Sequence, residues 1–309
     1  MIKPVAPMLI GEMTEPFNSP DYIFELKLDG IRCIAYLDGE TRLLNKRFLD
    51  VTATYPELQE AHNQVNAPCV LDGEVFAMTD GKPDFSVMQR RSLMGDTVKI
   101  ALAAQKTPVN FCAFDILYRD GERLTGRPWM ERRTLLEKTV IENERLSISR
   151  YIETNGVAFY HLVASQELEG IVAKRKTSLY HPGKRTKDWI KIKNLKDNDF
   201  VVCGYIPKDN NMTSLILGQY HDGGVLVYQG HVTLGVTRAG LQDIPQGKCP
   251  FAEVPDGNEG AIWLAPERVC TVRYMDRTAS GHMRQPVFHE WRDDKLPQEC
   301  VTAIEYADA

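Results

Sequence analysis

The stretch Lys27-Leu28-Asp29-Gly30-Ile31-Arg32 reads K-x-D-G-x-R and lies between two apolar runs, residues 22–26 and 31–37. Three charges at the junction of two would-be strands must be met by partners, water or a ligand, because burying an unanswered ion is costly. For a lone lysine the ordinary outcome is an ammonium reaching water along its apolar stem. A nucleophilic lysine instead needs a neutral amine at physiological pH, against a reference pKa of about 10.4. Desolvation and neighbouring cations both lower that value, and Arg32, Lys191 and Lys193 are the candidate cations. Gly30 permits a tight turn and the close approach of a ligand to the backbone.

With 309 residues, 43% hydrophobic and 26% charged, the chain has an ordinary globular composition and room for roughly two domains. Its formal net charge of -5 excludes a uniformly basic nucleic-acid binder, so any polyanion site must come from local clustering. Seven scattered cysteines, Cys33, Cys69, Cys112, Cys203, Cys249, Cys270 and Cys300, form no C-x-x-C pair. Reduced, mostly buried thiols are expected, and a structural zinc site is not. No apolar run approaches a membrane span and the N-terminus lacks a signal-peptide pattern. A cytoplasmic protein is expected, nuclear only in a eukaryotic host.

Residues 22–26 and 31–37 read as strands, Asp38-Gly39 as a hairpin turn and 42–45 as the return strand. Residues 54–65 predict a helix capped by Thr54. Residues 69–78 predict a strand interrupted by Asp72-Gly73-Glu74, 85–93 a short helix, and 109–118 a buried strand closed by Asp120-Gly121. Residues 129–143 carry the clearest amphipathic pattern, with Trp129, Arg133, Leu136 and Val140 near one face. Strands at 168–174 and 188–193 complete a first domain. Lys196-Asp197-Asn198-Asp199 reads as a polar joint. Beyond it, short strands at 200–206, 215–220 and 225–228, with a Gly223-Gly224 turn, have the rhythm of a small β-barrel. The last residues, 305–309, are expected to fray.

Asp72-Gly73-Glu74 puts charge into a run that should be core. A bulge with solvated acids is the bland alternative to a carboxylate aimed at a ribose or at Mg²⁺. Glu169-Gly170-Ile171-Val172-Ala173-Lys174 repeats the theme, with a plain turn into a strand as its bland counterpart. Trp189-Ile190-Lys191-Ile192-Lys193 alternates, so on a strand both lysines share one face, as a solvated edge or as two ammoniums on one phosphate. Two carboxylates beside lysines are what metal-assisted phosphoryl chemistry requires. From 174 to 196, Lys174, Arg175, Lys176, Lys184, Arg185, Lys187, Lys191, Lys193 and Lys196 stand against the single acid Asp188. In a net-acidic chain that asymmetry favours a phosphate-binding surface, with His181-Pro182-Gly183-Lys184-Arg185 as a turn presenting cations. Arg292-Asp293-Asp294-Lys295 alone is an ordinary charged turn.

Together these segments resemble the covalent nucleotidyltransferase superfamily. Within it they are most similar to compact bacterial and phage ATP-dependent DNA ligases and to the ligase domain of bacterial end-joining enzymes. The likeness covers nearly the whole chain. Pro7-Met8-Leu9 resembles the family's opening segment, residues 25–32 its first motif, 70–76 the third, 111–117 the segment after it, 168–174 the fourth, 189–193 the fifth and 292–295 the sixth; residues 85–91 resemble its short helix. The resemblance implies an α+β fold. An ATP-grasp-like nucleotidyltransferase domain of antiparallel sheets with flanking helices would span residues 1–196, and an all-β OB-fold domain residues 197–309.

It also implies ATP as cofactor, with AMP carried covalently on Lys27, and Mg²⁺ or Mn²⁺. Glu25 would recognise the adenine and Phe114 stack on it. Arg32 and Glu74 would contact the ribose side, Lys191 and Lys193 hold the α-phosphate, and Arg185 lie beside the nucleotide. Asp29 would join Lys27 in catalysis, Glu74 and Glu169 would help bind metal, and Arg292 and Lys295 would serve pyrophosphate. Where the family has a Ser-Arg or Thr-Arg pair, this chain has Asn45-Lys46-Arg47-Phe48. Strand alternation would send Lys46 and Arg47 to opposite faces, and Arg47 is favoured because a planar guanidinium grips phosphate bidentately. The chain starts shortly before Lys27, so no additional N-terminal DNA-binding domain is expected.

The implied reaction is the sealing of 5′-phosphate/3′-hydroxyl nicks in duplex DNA through lysyl-AMP and a DNA-adenylate, with closed and open states on a short joint. The implied partners are nicked duplex DNA and DNA-repair or end-joining proteins, with a nucleoid-associated monomer and no membrane. A GTP-dependent messenger-RNA capping guanylyltransferase, which shares K-x-D-G-x-R and an OB domain, and an RNA ligase stand as alternatives. A catalytically silent OB-type binder is disfavoured by the full set of Lys27, Glu74, Glu169 and Lys191.

Overall fold

The computed structural model describes residues 3–209, 212–221, 224–241, 243–278 and 281–302. Gly223 of the expected glycine turn and the expected frayed tail at 305–309 lie outside the described residues. The chain divides into two units, Met1–Asn194 and Leu195–Ala309.

In the first unit, period-two alternation of apolar side chains builds two sheets. One runs in the order Leu9–Met13, Arg185–Lys193, Gly170–Arg175, Ser19–Leu26, Tyr151–Thr154, antiparallel except where its Leu9–Met13 edge runs parallel to Arg185–Lys193. The other runs Thr41–Asn45, Ile31–Leu37, Cys69–Thr79, Val109–Arg119, Glu122–Arg123, with Leu146–Ile148 parallel beside Val109–Arg119. On one face of the first sheet Tyr22, Phe24, Ile171, Ala173, Ile190 and Ile192 pack with Val163 of the helix Gly156–Ser165. The alternate residues Ile23 and Trp189 join Ile34, Val70, Leu117 and Trp129 in a core that the two sheets share. The second sheet is also covered by the helices Phe85–Ser92 and Trp129–Thr139, through Val87, Met88 and Leu136.

Local chemistry explains where the elements depart from the sequence pattern. Residues 54–65 form three short 3₁₀ turns, Thr52–Thr54, Pro56–Leu58 and Ala61–Gln64, instead of one helix. Pro56 forces its predecessor Tyr55 out of the helical region, at φ -128 and ψ 66. Asp72-Gly73-Glu74 does not interrupt its strand, which runs unbroken over Cys69–Thr79; the register against Val109–Arg119 shifts at Val70/Leu71 and Asp72/Gly73. The Trp129–Thr139 helix stops when Val140 turns extended. The helices Thr97–Lys106 and Gly156–Ser165 stand where no helix was expected.

The core of this unit also holds charge. Arg91 donates to both oxygens of Glu57 at 2.9 and 3.1 Å and to the carbonyls of Thr54 and Thr107. Arg132 grips Asp115 through two nitrogens, each at 2.7 Å, and donates to the carbonyls of Arg127 and Ser178.

The second unit is an antiparallel five-stranded sheet in the order Val225–Val232, Thr213–His221, Lys196–Pro207, Ile262–Tyr274, Val287–Arg292. Phe200, Val202, Leu215 and Leu217 feed one apolar cluster; Val201, Cys203 and Ile216 feed another. The expected polar joint is the opening of the strand Lys196–Pro207. Its charges are answered across the ladder, Asp197 by Arg273 at 3.0 Å and Lys196 by Asp276 at 3.2 Å. The seven cysteines are free, six of them buried and Cys249 half-buried. Among the described residues no helix is long and apolar enough to cross a membrane.

Removing one member of a buried pair leaves a charge with no answer. Arg132→Met is expected to destabilise the first unit by roughly 3–5 kcal/mol, whereas replacing Arg132 and Asp115 together with apolar residues of similar size costs far less. Urea unfolding of the single and double variants checks this; equal losses would show that charge compensation is not the reason.

Candidate active site

The lysine motif lies where the chain leaves Ser19–Leu26 of one sheet and enters Ile31–Leu37 of the other. Lys27 stays tied to the first sheet, its N–H donating to the Gly170 carbonyl at 2.9 Å. A Cβ on Gly30 would stand 2.3 Å from the Val75 carbonyl oxygen, so strand contact, and not a ligand, demands that glycine. Gly170 adopts φ +134, and its missing Cβ would lie 2.2 Å from the Ile192 carbonyl oxygen, so it too excludes any side chain.

Beside the motif is a cavity of about 190 Å³ with Glu25, Lys27, Arg32, Glu74, Phe114, Lys174 and Trp189 in its walls. Sheet register assembles these groups: Val172 pairs with Glu25 on one side and Lys191 on the other, and Lys174 pairs with Trp189. Alternation puts Trp189, Lys191 and Lys193 on the face opposite Ile190 and Ile192, as the sequence pattern requires.

Lys27 Nζ is 2.7 Å from Glu169 Oε1. The second oxygen, Glu169 Oε2, is buried without a hydrogen bond. Burial pushes the Glu169 carboxyl above its usual range against the charge of Lys27, with Asp29 adding to the rise. Glu74 sits opposite Arg32 in register. Burial pushes its carboxyl up to about 8, although Lys27 and Arg32 oppose the shift. Burial likewise pushes the Lys193 ammonium below the usual lysine range; Glu169 opposes, and Lys27 and Lys191 reinforce.

Two ion pairs with buried carboxylates frame the cavity. Arg32 forks onto Asp72 at 2.9 and 2.5 Å, and the Tyr180 hydroxyl donates to the same carboxylate at 2.6 Å. Lys174 Nζ meets Glu25 Oε2 at 2.6 Å and stands 4.4 Å from the centre of the Phe114 ring. Glu25 Oε1 is buried with no hydrogen bond.

The structure therefore brings together Glu25, Lys27, Asp29, Arg32, Glu74, Phe114, Glu169, Lys191 and Lys193. Arg185 is exposed at the other end of its strand and donates to the Ile10 carbonyl at 2.6 Å. Lys46 and Arg47 are both exposed in a turn beyond Thr41–Asn45, so strand alternation does not apply to them; the Arg47 N–H caps Asn45 Oδ1 at 2.8 Å. The basic interval is not one surface. Lys174 is buried on Glu25; Arg175 pairs with Asp188, Lys176 with Glu153 and Lys196 with Asp276; Lys184, Arg185 and Lys187 are exposed. Arg133 and Tyr180 were not picked out for the site, and Asp72, Lys174 and Trp189 lay within its motifs without a role of their own. The signal was present for Lys174 and Asp72, as charges inside apolar strands.

On the second unit, Arg292 reaches Asp199 at 3.1 Å and forks onto Asp294 at 2.8 and 2.9 Å, while Lys295 meets Asp199 at 2.7 Å. Burial raises the Asp199 carboxyl, but hydrogen bonds from Lys295 and Thr271 and the charges of Lys295 and Arg292 outweigh it and leave the group below its usual range.

Among the described residues no three His, Cys, Asp or Glu side chains cluster to hold a metal unaided. The open Glu169 Oε2 and the Glu74 carboxyl supply two hard oxygens of the kind a divalent cation takes, with phosphate and water oxygens to complete its shell.

Residues 6–193 match the family model described as ATP dependent DNA ligase domain, and residues 208–295 match ATP dependent DNA ligase C terminal region. The chain is 31% identical over 295 residues to the SPbeta prophage-derived DNA ligase-like protein LigB of Bacillus subtilis, covering 93% of this chain and 99% of that protein. It is 32% identical to the multifunctional non-homologous end joining DNA repair protein LigD of Mycobacterium tuberculosis, over 96% of this chain but only 40% of that protein. The solved mycobacterial DNA ligase D complexed with ATP and MES superposes with a TM-score of 0.56 at 31% identity, over 96% of this chain and 98% of that one. A Lig E DNA ligase structure, at TM-score 0.62 and 19% identity, shares the fold. The architecture is thus a nucleotidyltransferase fold followed by an OB-fold. By sequence and by fold, the chain belongs to the ATP-dependent DNA ligase family.

Proposed function

We propose that this chain seals nicks in duplex DNA, with Lys27 as the group that carries AMP. The observation that supports this most is the Lys27–Glu169 pair at 2.7 Å, set beside a cavity walled by Glu25, Arg32, Glu74 and Phe114. Lys27, after giving up a proton, attacks the α-phosphorus of ATP; an N–P bond forms and the P–O bond to pyrophosphate breaks. The adenylate then passes to a 5′-phosphate, forming P–O and breaking N–P. The 3′-hydroxyl attacks that 5′-phosphorus and AMP leaves.

Glu25 accepts from the adenine amino group and Phe114 stacks on the base. Arg32, fixed by Asp72, and Glu74 meet the ribose side. Asp29 and Glu169 orient the Lys27 amine. Lys191 and Lys193 take charge from the non-bridging phosphate oxygens. Glu74 and Glu169 would hold Mg²⁺ or Mn²⁺, which when bound supplies Lewis-acid stabilisation of the phosphates. Arg47, Arg185, Arg292 and Lys295 remain candidates for phosphate or pyrophosphate. Lys184, Arg185 and Lys187 are the exposed cations we assign to DNA phosphates. A monomer acting in a reducing, cytoplasmic compartment, with end-joining or repair proteins as partners, completes the proposal; seven free thiols suit it.

Lys27→Ala is expected to abolish the covalent AMP adduct seen by intact mass spectrometry after incubation with ATP. An adduct of wild-type yield would exclude Lys27.

Affinity for nicked duplex is expected to fall with salt. Three phosphate contacts give a slope near -2.7, or roughly a fortyfold loss over a fourfold rise in salt, and each of Lys184→Gln and Lys187→Gln should flatten the slope by about one. Unchanged slopes in filter binding would remove these lysines from the DNA surface.

Glu74 links stability to function. Its folded carboxyl is raised to about 8, against about 4.3 when unfolded. Between those values the folded state holds the extra proton, so stability falls as pH rises. Glu74→Gln removes that slope and should stabilise the first unit by about 2 kcal/mol at alkaline pH. It should also depress metal-dependent adduct formation by at least about a hundredfold. Melting curves at acid and alkaline pH, with adduct yields, test both halves; a wild-type slope retained in the variant would place the titration elsewhere.

A further inference from the structure

A carboxylate has two oxygens, and Glu25 uses only one. Oε2 takes Lys174 Nζ at 2.6 Å, while Oε1, on a side chain 3% exposed, accepts no hydrogen bond. On the Oε1 side, Arg133 Nη1 stands 4.0 Å away, beyond hydrogen-bond reach. Arg133 could have closed that gap, but its guanidinium is held elsewhere. Nη1 donates to the Ser149 carbonyl at 2.6 Å, Nε donates to Glu137 at 2.7 Å, and the group lies 5.0 Å from the centre of the Tyr151 ring. Arg133 thus lends Glu25 its field while leaving the Oε1 lone pairs open. Glu25 and Ser149 both line the cavity.

We propose that Arg133 is a positioning residue for base selection: it keeps Glu25 an open, acceptor-only carboxylate, so that the cavity takes a purine with a 6-amino group and refuses one with a 6-carbonyl. This rests on the reading that Glu25 faces the base. An ionised carboxylate can only accept, which suits an amino group and repels a carbonyl; the protonated acid can donate to a carbonyl and reverses the preference. The groups that face Glu25 are Lys174, Arg133 and Asp115, with the Cys112 thiol nearby. Burial, with a smaller push from Asp115, holds the Glu25 carboxyl above its usual range, and Lys174 and then Arg133 pull it back toward the carboxylate. Without the Arg133 charge the balance moves toward the acid, and toward guanine.

The experiment offers equimolar ATP and GTP and reads lysyl-AMP against lysyl-GMP by intact mass. Arg133→Met should lower the AMP:GMP ratio by at least about tenfold, more at acid pH, and Arg133→Lys should recover most of it. A folded Arg133→Met variant with the wild-type ratio, or an Arg133→Lys variant as unselective as Arg133→Met, overturns the inference. If Arg133→Met does not fold, the wild-type ratio from neutral to acid pH decides: a fall supports the inference and a flat ratio overturns it. Purine riboside triphosphate, which lacks the 6-amino group, separates the two readings. If the wild-type protein uses it as well as ATP, Glu25 does not read the base. If it is used at least about tenfold worse while the Arg133 variants keep their ratio, only the role of Arg133 fails.

Discussion

Charge taken out of water must be answered, and the first unit is organised around that requirement. Glu25, Glu57, Asp72 and Asp115 are all buried, and each is met by a cation from a different element: Lys174, Arg91, Arg32 and Arg132. These pairs tie strand to strand and strand to helix where apolar packing alone leaves orientation loose. Arg132 joins the Trp129–Thr139 helix to the Val109–Arg119 strand that carries Phe114. Arg32 joins Ile31–Leu37 to Cys69–Thr79. The cavity has fixed walls because the ions behind them are fixed.

Not every buried charge is of the same kind, and the unused oxygens separate them. Asp115 receives two donors from Arg132, and Asp72 receives Arg32 and Tyr180, so their oxygens are taken up within the protein. Glu25 Oε1 and Glu169 Oε2 are buried yet receive none. A fold does not leave such atoms open without compensation, because each carries a desolvation penalty of roughly 1–3 kcal/mol. That both belong to residues beside Lys27, one through the strand and one through its amine, marks the site more sharply than the cavity volume does.

Much of this was legible in the chain. Alternation at 189–193 placed Lys191 and Lys193 on one face, and the K-x-D-G-x-R turn was rightly set between two strands. What failed had physical causes. A capping threonine and helix formers suggested a helix over 54–65, but Pro56 breaks it into 3₁₀ turns. The acids at 72–74 looked like an interruption, because an ion in a strand core is costly. The strand tolerates Asp72 only because Arg32 and Tyr180 arrive from distant sequence positions. Gly30 read as room for a ligand, whereas the neighbouring strand fills that room. Arg133 was visible as a helix-face residue, but nothing local could show that its fork would be drawn to Ser149 and Glu137 and stop short of Glu25.

The second unit applies the same rule with the opposite effect. Asp199 stands in what reads as a polar joint, yet it lies within the strand Lys196–Pro207 and receives Thr271, Arg292 and Lys295 together. The cations of the sixth segment are therefore engaged, and a phosphate that takes them shares them with a carboxylate or displaces it. That exchange is favourable in one direction. A phosphate offers more acceptor oxygens and more charge than a single carboxylate, and charge-assisted bonds to it are correspondingly strong. An arginine held by Asp199 and Asp294 is already compensated, so a ligand gains from it only the difference between its own oxygens and theirs. Asp199 thus neutralises the cations it holds, by the same compensation that fixes the walls of the cavity.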